Sequence, residues 1–279
     1  MTRFRHLLLA LTVVALARAE SVEEAVAPEG FHWPHGAQAA VCLTYDDSLA
    51  SQLDVAFPQL EAMGLKGTFF LMGNGGTMVD RVEDWRAVAA AGHELGSHSL
   101  FHPCRRGLPN RDWVSVTHDL DVYTLDRLEK ELLITDTLLH AIDGETERTF
   151  AYPCGETVVE HGEVSFLPVT RKLFIASRGV DPTIMAPRDL KFSNTPAFDP
   201  SHGDLQATID YLEACAEAGT VAVFLMHGVE GDYLETPEGL HQQILDYLVA
   251  HKDRFWVDTF KNVMTHAQGE FERLGWPVE

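Results

Sequence analysis

Residues 39–72 read AAVCLTYDDSLASQLDVAFPQLEAMGLKGTFFLM, and the periods inside this stretch decide the fold. Ala39 to Tyr45 is an apolar run of strand length, whereas Ser51 to Met63 spaces its apolar residues for a helix that Gly64 stops. Thr68 to Met72 is a second strand, and Gly73 to Gly76 make a turn after it. A strand, a helix and another strand in that order form a βαβ unit, which calls for a parallel sheet.

The alternation continues along the chain. Helix Val82 to Ala91, strand His93 to Ser97, helix Leu125 to Ile142 and strand Thr149 to Tyr152 follow. After a less regular middle come strand Leu173 to Ala176, helix Leu205 to Ala218, strand Val221 to Met226, helix Pro237 to Ala250, strand Phe255 to Asp258 and a short final helix. About seven strands joined mostly by helices predict an α/β fold, either a closed or nearly closed barrel. There is no internal repeat, low-complexity linker or compositional break, so residues 39–279 are expected to form one domain after a loose lead, residues 20–38.

The first 19 residues, MTRFRHLLLALTVVALARA, place Arg3 and Arg5 before the apolar run Leu7 to Leu16 and end in small residues. This is the layout of a signal peptide cut after Ala19, which predicts an exported protein, periplasmic or secreted. No later segment is long and apolar enough to span a bilayer, so no stable membrane span is expected after cleavage. The chain has 21 basic and 42 acidic residues, a net charge of -21; loss of Arg3, Arg5 and Arg18 would leave 18 against 42, or -24. That balance disfavours nucleic acid and anionic lipid as partners and fits a neutral or weakly charged substrate better than a strongly anionic polymer.

The four cysteines, Cys42, Cys104, Cys154 and Cys215, contain no CxxC pair for a compact zinc knuckle. An oxidising compartment would allow three full pairings. Cys104 and Cys154 both lie beside candidate site segments and are one candidate pair; free, small apolar residues are the other reading.

Polar residues gather at the carboxyl ends of the strands, where α/β folds place their sites. VCLTYDD ends the first strand on Asp46 and Asp47, which on extended backbone point in different directions, so that one carboxylate can hold a metal while the other faces substrate or water. Read locally, the same stretch is an Asx-type turn or a helix cap, with Asp47 or Ser48 starting the next helix. HELGSHSLFH places His98 and His102 four apart, on one face if a helical turn begins at Ser99. His93 and Glu94 do not complete HExxH, which argues against a zincin. With Asp47 the two histidines form a two-imidazole, one-carboxylate set that leaves positions open for water and substrate. FAYPCG shapes a tight loop whose Cys154 amide is a candidate oxyanion donor. VAVFLMHGV ends on His227, an imidazole suited to protonating a leaving group.

The ordered set TYDD, HSLFH, YPCG and LMH resembles the polysaccharide deacetylase, or NodB-homology, family of carbohydrate esterases (family 4-like), over roughly Ala39 to Met264. The resemblance implies a distorted (β/α) barrel and metal-dependent removal of acetyl groups from N- or O-acetylated glycans. It assigns Asp46 as catalytic base, Asp47, His98 and His102 as metal ligands, and His227 as catalytic acid. Zinc is the default for such mixed nitrogen and oxygen ligands, with cobalt, nickel or manganese also suited.

Two departures stand out. Family members commonly carry an arginine two residues before the loop proline; this chain has Ala151, and Arg178 in IASRG is the first candidate to supply the charge. The family's aspartate-and-tryptophan segment has no clear match; Trp256 and Asp258 in FWVDTF could wall the cleft, but read more simply as a core residue and a helix cap. The rival functions are hydrolysis of another C–N or ester bond and noncatalytic glycan binding by a fold that has lost its arginine. A serine esterase lacks its GxSxG elbow here, and a glycoside hydrolase would need another carboxylate pair.

Overall fold

The computed structural model describes residues 30–201, 203–237 and 239–279. The expected signal peptide, residues 1–19, and the part of the lead before Gly30 lie outside the described residues. In chain order the elements are β1 (Ala39–Asp46), α1 (Phe57–Met63), β2 (Thr68–Leu71), α2 (Gly76–Asp80), α3 (Val82–Ala90), β3 (Glu94–Ser97), α4 (Leu125–Asp143), β4 (Phe150–Ala151), β5 (Val158–Val159), β6 (Val164–Ser165), α5 (Leu167–Leu173), β7 (Ser177–Arg178), α6 (Leu205–Ala218), β8 (Val221–Met226), α7 (Leu240–Ala250), β9 (Phe255–Val257) and α8 (Phe260–Leu274).

β1 is buried along its whole length, which is why its sequence is apolar without alternation. Its residues still divide by the pleat. Ala39, Val41, Leu43 and Tyr45 pack into a cluster with Leu60 of α1, Trp85 of α3, Leu212 of α6 and Leu245 of α7. Ala40 and Cys42 face a second cluster with Val263, Met264 and Ala267 of α8. The sheet therefore has helices outside and α8 against its inner face, and Asp46, in phase with Ala40 and Cys42, emerges on the inner side.

The main sheet is parallel throughout, in the order β7-β4-β3-β2-β1-β8, with β9 pairing the start of β1. The gap between the end strands is bridged by the stretch 192–198. There Gly179 N donates to Thr195 O (2.8 Å), Thr195 N to Ser177 O (2.8 Å), and Phe198 N to Val223 O (2.8 Å). The result is a nearly closed α/β barrel, as the alternation predicts, and distorted, as the resemblance implies, with irregular chain in place of an eighth strand.

Differences from the sequence reading are local. The run Leu173 to Ala176, expected as a strand, is the end of α5 and the turn after it; the strand is Ser177–Arg178. α7 starts at Leu240, three residues beyond the expected start, and the final helix runs 15 residues, held by buried Val263, Met264, Ala267 and Phe271. The lead is tied down where it is described: Trp33 is buried with Nε1 donating to Gly219 O (2.9 Å), and Phe31 stacks on Trp276.

Candidate active site

The carboxyl ends of β1, β3, β4, β7 and β8 converge on a cleft of about 830 Å³ walled in part by Met72, Phe101, Trp113, Val180, Leu225 and Leu234. Asp46, Asp47, His98, His102, Cys154 and His227 all line it. Arg178 is fully buried behind them, and its Nη2 donates to Asp46 Oδ2 while Nη1 donates to Gly179 O (3.0 Å).

The route by which the two aspartates reach one cleft differs from the expected one. Extended backbone would have turned Asp47 away from Asp46. After β1 the chain instead takes left-handed conformations at Asp47 (φ 80°) and Ser48 (φ 58°), which swing the Asp47 carboxylate onto the same side. Aspartate and serine tolerate that region better than branched residues do. Neither residue acts as the helix cap that the local reading allowed; the first helical turn after β1 starts at Gln52, with Ser51 in the cap position.

A comparable correction applies to the histidines. No helical turn begins at Ser99. The segment bends through left-handed Ser99 (φ 61°) and His102 (φ 51°), and His102 N donates to Ser99 Oγ (3.0 Å) across the bend. The rings still meet, with centroids 4.9 Å apart.

His98 Nδ1 lies 2.8 Å from Ala151 O, so this nitrogen donates, and in the neutral ring Nε2, on the side of Asp47, carries the lone pair. His98 Nε2 and His102 Nε2 stand 3.3 and 3.4 Å from Asp47 Oδ1. That oxygen is buried and has no hydrogen-bond partner. Two ligands bound tetrahedrally at about 2.0–2.1 Å lie roughly 3.3–3.4 Å apart. The three donor atoms therefore have the chemistry and spacing of a site for a divalent cation, and the orphaned oxygen is the atom such a cation would satisfy.

The fields in the cleft follow the same layout. Burial opposes ionisation of Asp47, but the positive charge that the close imidazoles of His98, His102 and His227 can carry outweighs it and holds the carboxyl well below its ordinary value. Burial pulls His98 down, and Asp46 and Asp47 more than reverse this, leaving it raised. Burial and the charge of His98 take His102 down to about 4. Across the cleft His227 Nε2 is 3.8 Å from Asp47 Oδ2, and its Nδ1 is buried without a partner among the described residues.

Cys154 sits in a tight 3-10 turn, Pro153–Gly155, at φ 57°. Its sulfur is bonded to Cys104, which ties the loop carrying His102 to the YPCG loop; Cys42 and Cys215 are free and buried. The bond also removes both sulfurs from the neighbouring His102, Cys104 and Cys154 cluster as thiolate ligands.

Three contacts escaped the sequence reading. Gln52 Nε2 donates to the carbonyls of both Asp46 and His227 (3.1 Å to the latter), stitching two strand ends together. Tyr233 Oη donates to Asp47 Oδ2 (3.0 Å). The Ala151 carbonyl orients His98. Except for Gln52 to Asp46, six residues apart, they join residues far apart in the chain, and no motif spacing announces them. Trp256, by contrast, packs beside α8 outside the cleft, and the α8 cap is Thr259, whose Oγ1 accepts from Asn262 N (3.2 Å); Asp258 supports that turn.

The polysaccharide deacetylase family's sequence profile matches residues 34–165, a span that carries TYDD, HSLFH and YPCG and ends before LMH. Among curated proteins, gellan lyase from Bacillus sp is 22% identical over 264 residues, covering 85% of this chain and 10% of that protein; the chain thus spans about a tenth of its length. Among solved structures, a putative polysaccharide deacetylase from Mycobacterium smegmatis superposes with a TM-score of 0.64 at 17% identity, over 86% of this chain and 93% of that one. Peptidoglycan deacetylase PdaC from Bacillus subtilis gives 0.52 at 17%, over 86% and 98%. The Xyl-CE4 domain of a multidomain xylanase from the hindgut metagenome of Trinervitermes trinervoides gives 0.52 at 15%, over 85% and 91%. These structural likenesses are of fold. The profile match over residues 34–165 bears out the resemblance to the polysaccharide deacetylase (NodB-homology) family read in TYDD, HSLFH and YPCG, and the structural likenesses bear out the fold which that resemblance implies.

Proposed function

We propose that this chain is a metal-dependent hydrolase that removes acetyl groups from an acetylated glycan, and that it is exported to the periplasm or beyond. The observation that carries the reading is the placement of Asp46. Its Oδ2 is held by Arg178 while Oδ1 is buried and unpartnered, beside the donor set Asp47, His98 and His102. Because Arg178 pairs with Asp46, the absence of an arginine at position 151 no longer argues for a noncatalytic glycan binder.

Asp47, His98 and His102 would hold the cation, with zinc the best match to two imidazoles and a carboxylate and cobalt, nickel or manganese as substitutes. A cation there, when bound, acidifies water and polarises a carbonyl oxygen. Asp46, fixed by Arg178, accepts the water proton at Oδ1. The Cys154 amide, presented by its left-handed turn, donates to the oxygen of the tetrahedral intermediate. His227 protonates the departing amine or sugar oxygen from Nε2. Buried walls such as Leu225 exclude water from the face where the acyl group lies.

The test is acetate release from chitooligosaccharide, acetylxylan and peptidoglycan after chelation and after metal add-back, for wild type beside Asp46→Asn and His227→Ala. Release that needs metal and falls in both variants is expected. Equal release by all three proteins, or none from any substrate by folded, metal-loaded wild type, rejects the reading; release from a non-acetyl ester or amide alone would favour the neighbouring hydrolase chemistry.

A further inference from the structure

Tyr233 lies on the loop after β8, and the loop is built to hold it. Ser51 N donates to Asp232 Oδ2 (2.8 Å), Val229 N to Ser51 Oγ (3.1 Å), and Gly228 N to Tyr233 O (3.2 Å). Thr236 N closes the loop on Gly228 O (2.8 Å). Three of its residues, Glu230, Asp232 and Leu234, take left-handed backbone, a conformation that these anchors must enforce. The whole arrangement is tied to Ser51, on the same β1–α1 connection that carries Asp47. From it the phenol reaches back to Asp47 Oδ2 (3.0 Å), the oxygen turned away from His98 and His102.

We propose that Tyr233 is a positioning residue for the cation site. By occupying Oδ2, it leaves Oδ1 as the carboxylate oxygen offered to a cation and holds Asp47 to one-oxygen ligation. It also fixes the rotation of the carboxylate, so that Oδ1 keeps its place relative to both imidazoles before any ligand arrives. Without the phenol, Asp47 is free to turn and to offer both oxygens, and the site loses its fixed donor count. This role rests on the cation-site reading given above.

The experiment measures Co2+ and Zn2+ binding by competition with a chromophoric chelator, together with the visible spectrum of bound Co2+, for wild type, Tyr233→Phe and Asp232→Ala. The last releases the loop from Ser51 N while keeping the phenol. Thermal unfolding of each metal-free protein reports on folding. Loss of a hydrogen-bonding partner to a metal ligand typically weakens affinity by about 10–100-fold. Tyr233→Phe is expected to fall in that range with a changed Co2+ spectrum, and Asp232→Ala to move in the same direction by less. Should Tyr233→Phe not fold, Asp232→Ala decides alone. Unchanged affinity and spectrum in the folded variants, with wild type binding metal, overturns the role of Tyr233 and leaves the site standing. Wild type that binds neither metal overturns the site itself, and the role with it.

Discussion

Ala151 of β4 and Arg178 of β7 are register partners in neighbouring parallel strands. Their side chains share a face of the sheet, so the guanidinium that the family resemblance leads one to seek at position 151 is delivered from the adjacent strand. There it meets Asp46, a buried carboxylate that lines the cleft. Removing one member of a buried ion pair is strongly destabilising, because the remaining charge stays desolvated.

Arg178→Ala is therefore expected to lower thermal stability and to reduce deacetylation by at least about 100-fold, the scale of an impaired general base. Adding Ala151→Arg should restore part of both, since the new side chain starts one strand away on the same face. Calorimetry and acetate release on the single and double variants test this; a harmless Arg178→Ala would remove the arginine from the site.

The Cys104–Cys154 bond closes a separation of 50 residues and joins two loops that carry site groups. The Cys104→Ala/Cys154→Ala variant should lose about 2–4 kcal/mol of stability. Urea unfolding with and without reductant measures it: reductant should weaken wild type and leave the double variant unchanged.

His241 is buried behind β1, accepting from Tyr45 Oη at Nε2 (2.7 Å) and donating from Nδ1 to Gln59 Oε1 (2.6 Å). Burial brings its pKa down to about 4. The unfolded chain, near 6.5, takes up this proton first as pH falls, so the neutral folded form contributes fully above about 6.5 and loses ground until about pH 4, by roughly 3 kcal/mol. The stability gap between wild type and His241→Gln should narrow over that window. A gap independent of pH would show that His241 does not titrate with folding.

Gly228 follows His227 at the entry to the Tyr233 loop, and a Cβ there would lie 2.0 Å from the carbonyl oxygen of Gly231. Backbone cannot yield as a flexible side chain does. Gly228→Ala should open the loop, reduce cation affinity along with Tyr233→Phe, and raise hydrogen exchange at Val229 and Thr236.

Long apolar runs made β1, β2 and β8 legible to within one residue. The two-residue strands β4 and β7 carry too little pattern to fix their bounds, and Leu173 to Ala176 is apolar because α5 ends and the chain turns inside the core; Ile175 N donates to Arg148 O and Ala176 O accepts from Phe150 N, but the strand itself begins at Ser177. At the site, the strand-end residues could be listed from sequence because each follows an apolar run. The backbone that unites them could not. Left-handed Asp47, Ser99 and His102 leave no periodic signature, and the bonds from Gln52 and Tyr233 depend on strand order, which emerges only when the sheet closes.

The irregular closure at residues 192–198 makes the barrel a hoop with a clasp. Ser177 and Gly179, the neighbours of Arg178, are gripped on one edge by Phe192 and Thr195 and not by a long strand. The stiffness with which the guanidinium is held is thus set by a few hydrogen bonds in a segment that supplies none of the candidate ligands or proton-transfer groups. Changes there can shift how Arg178 holds Asp46 from a distance, while the candidate metal ligands stay where they are.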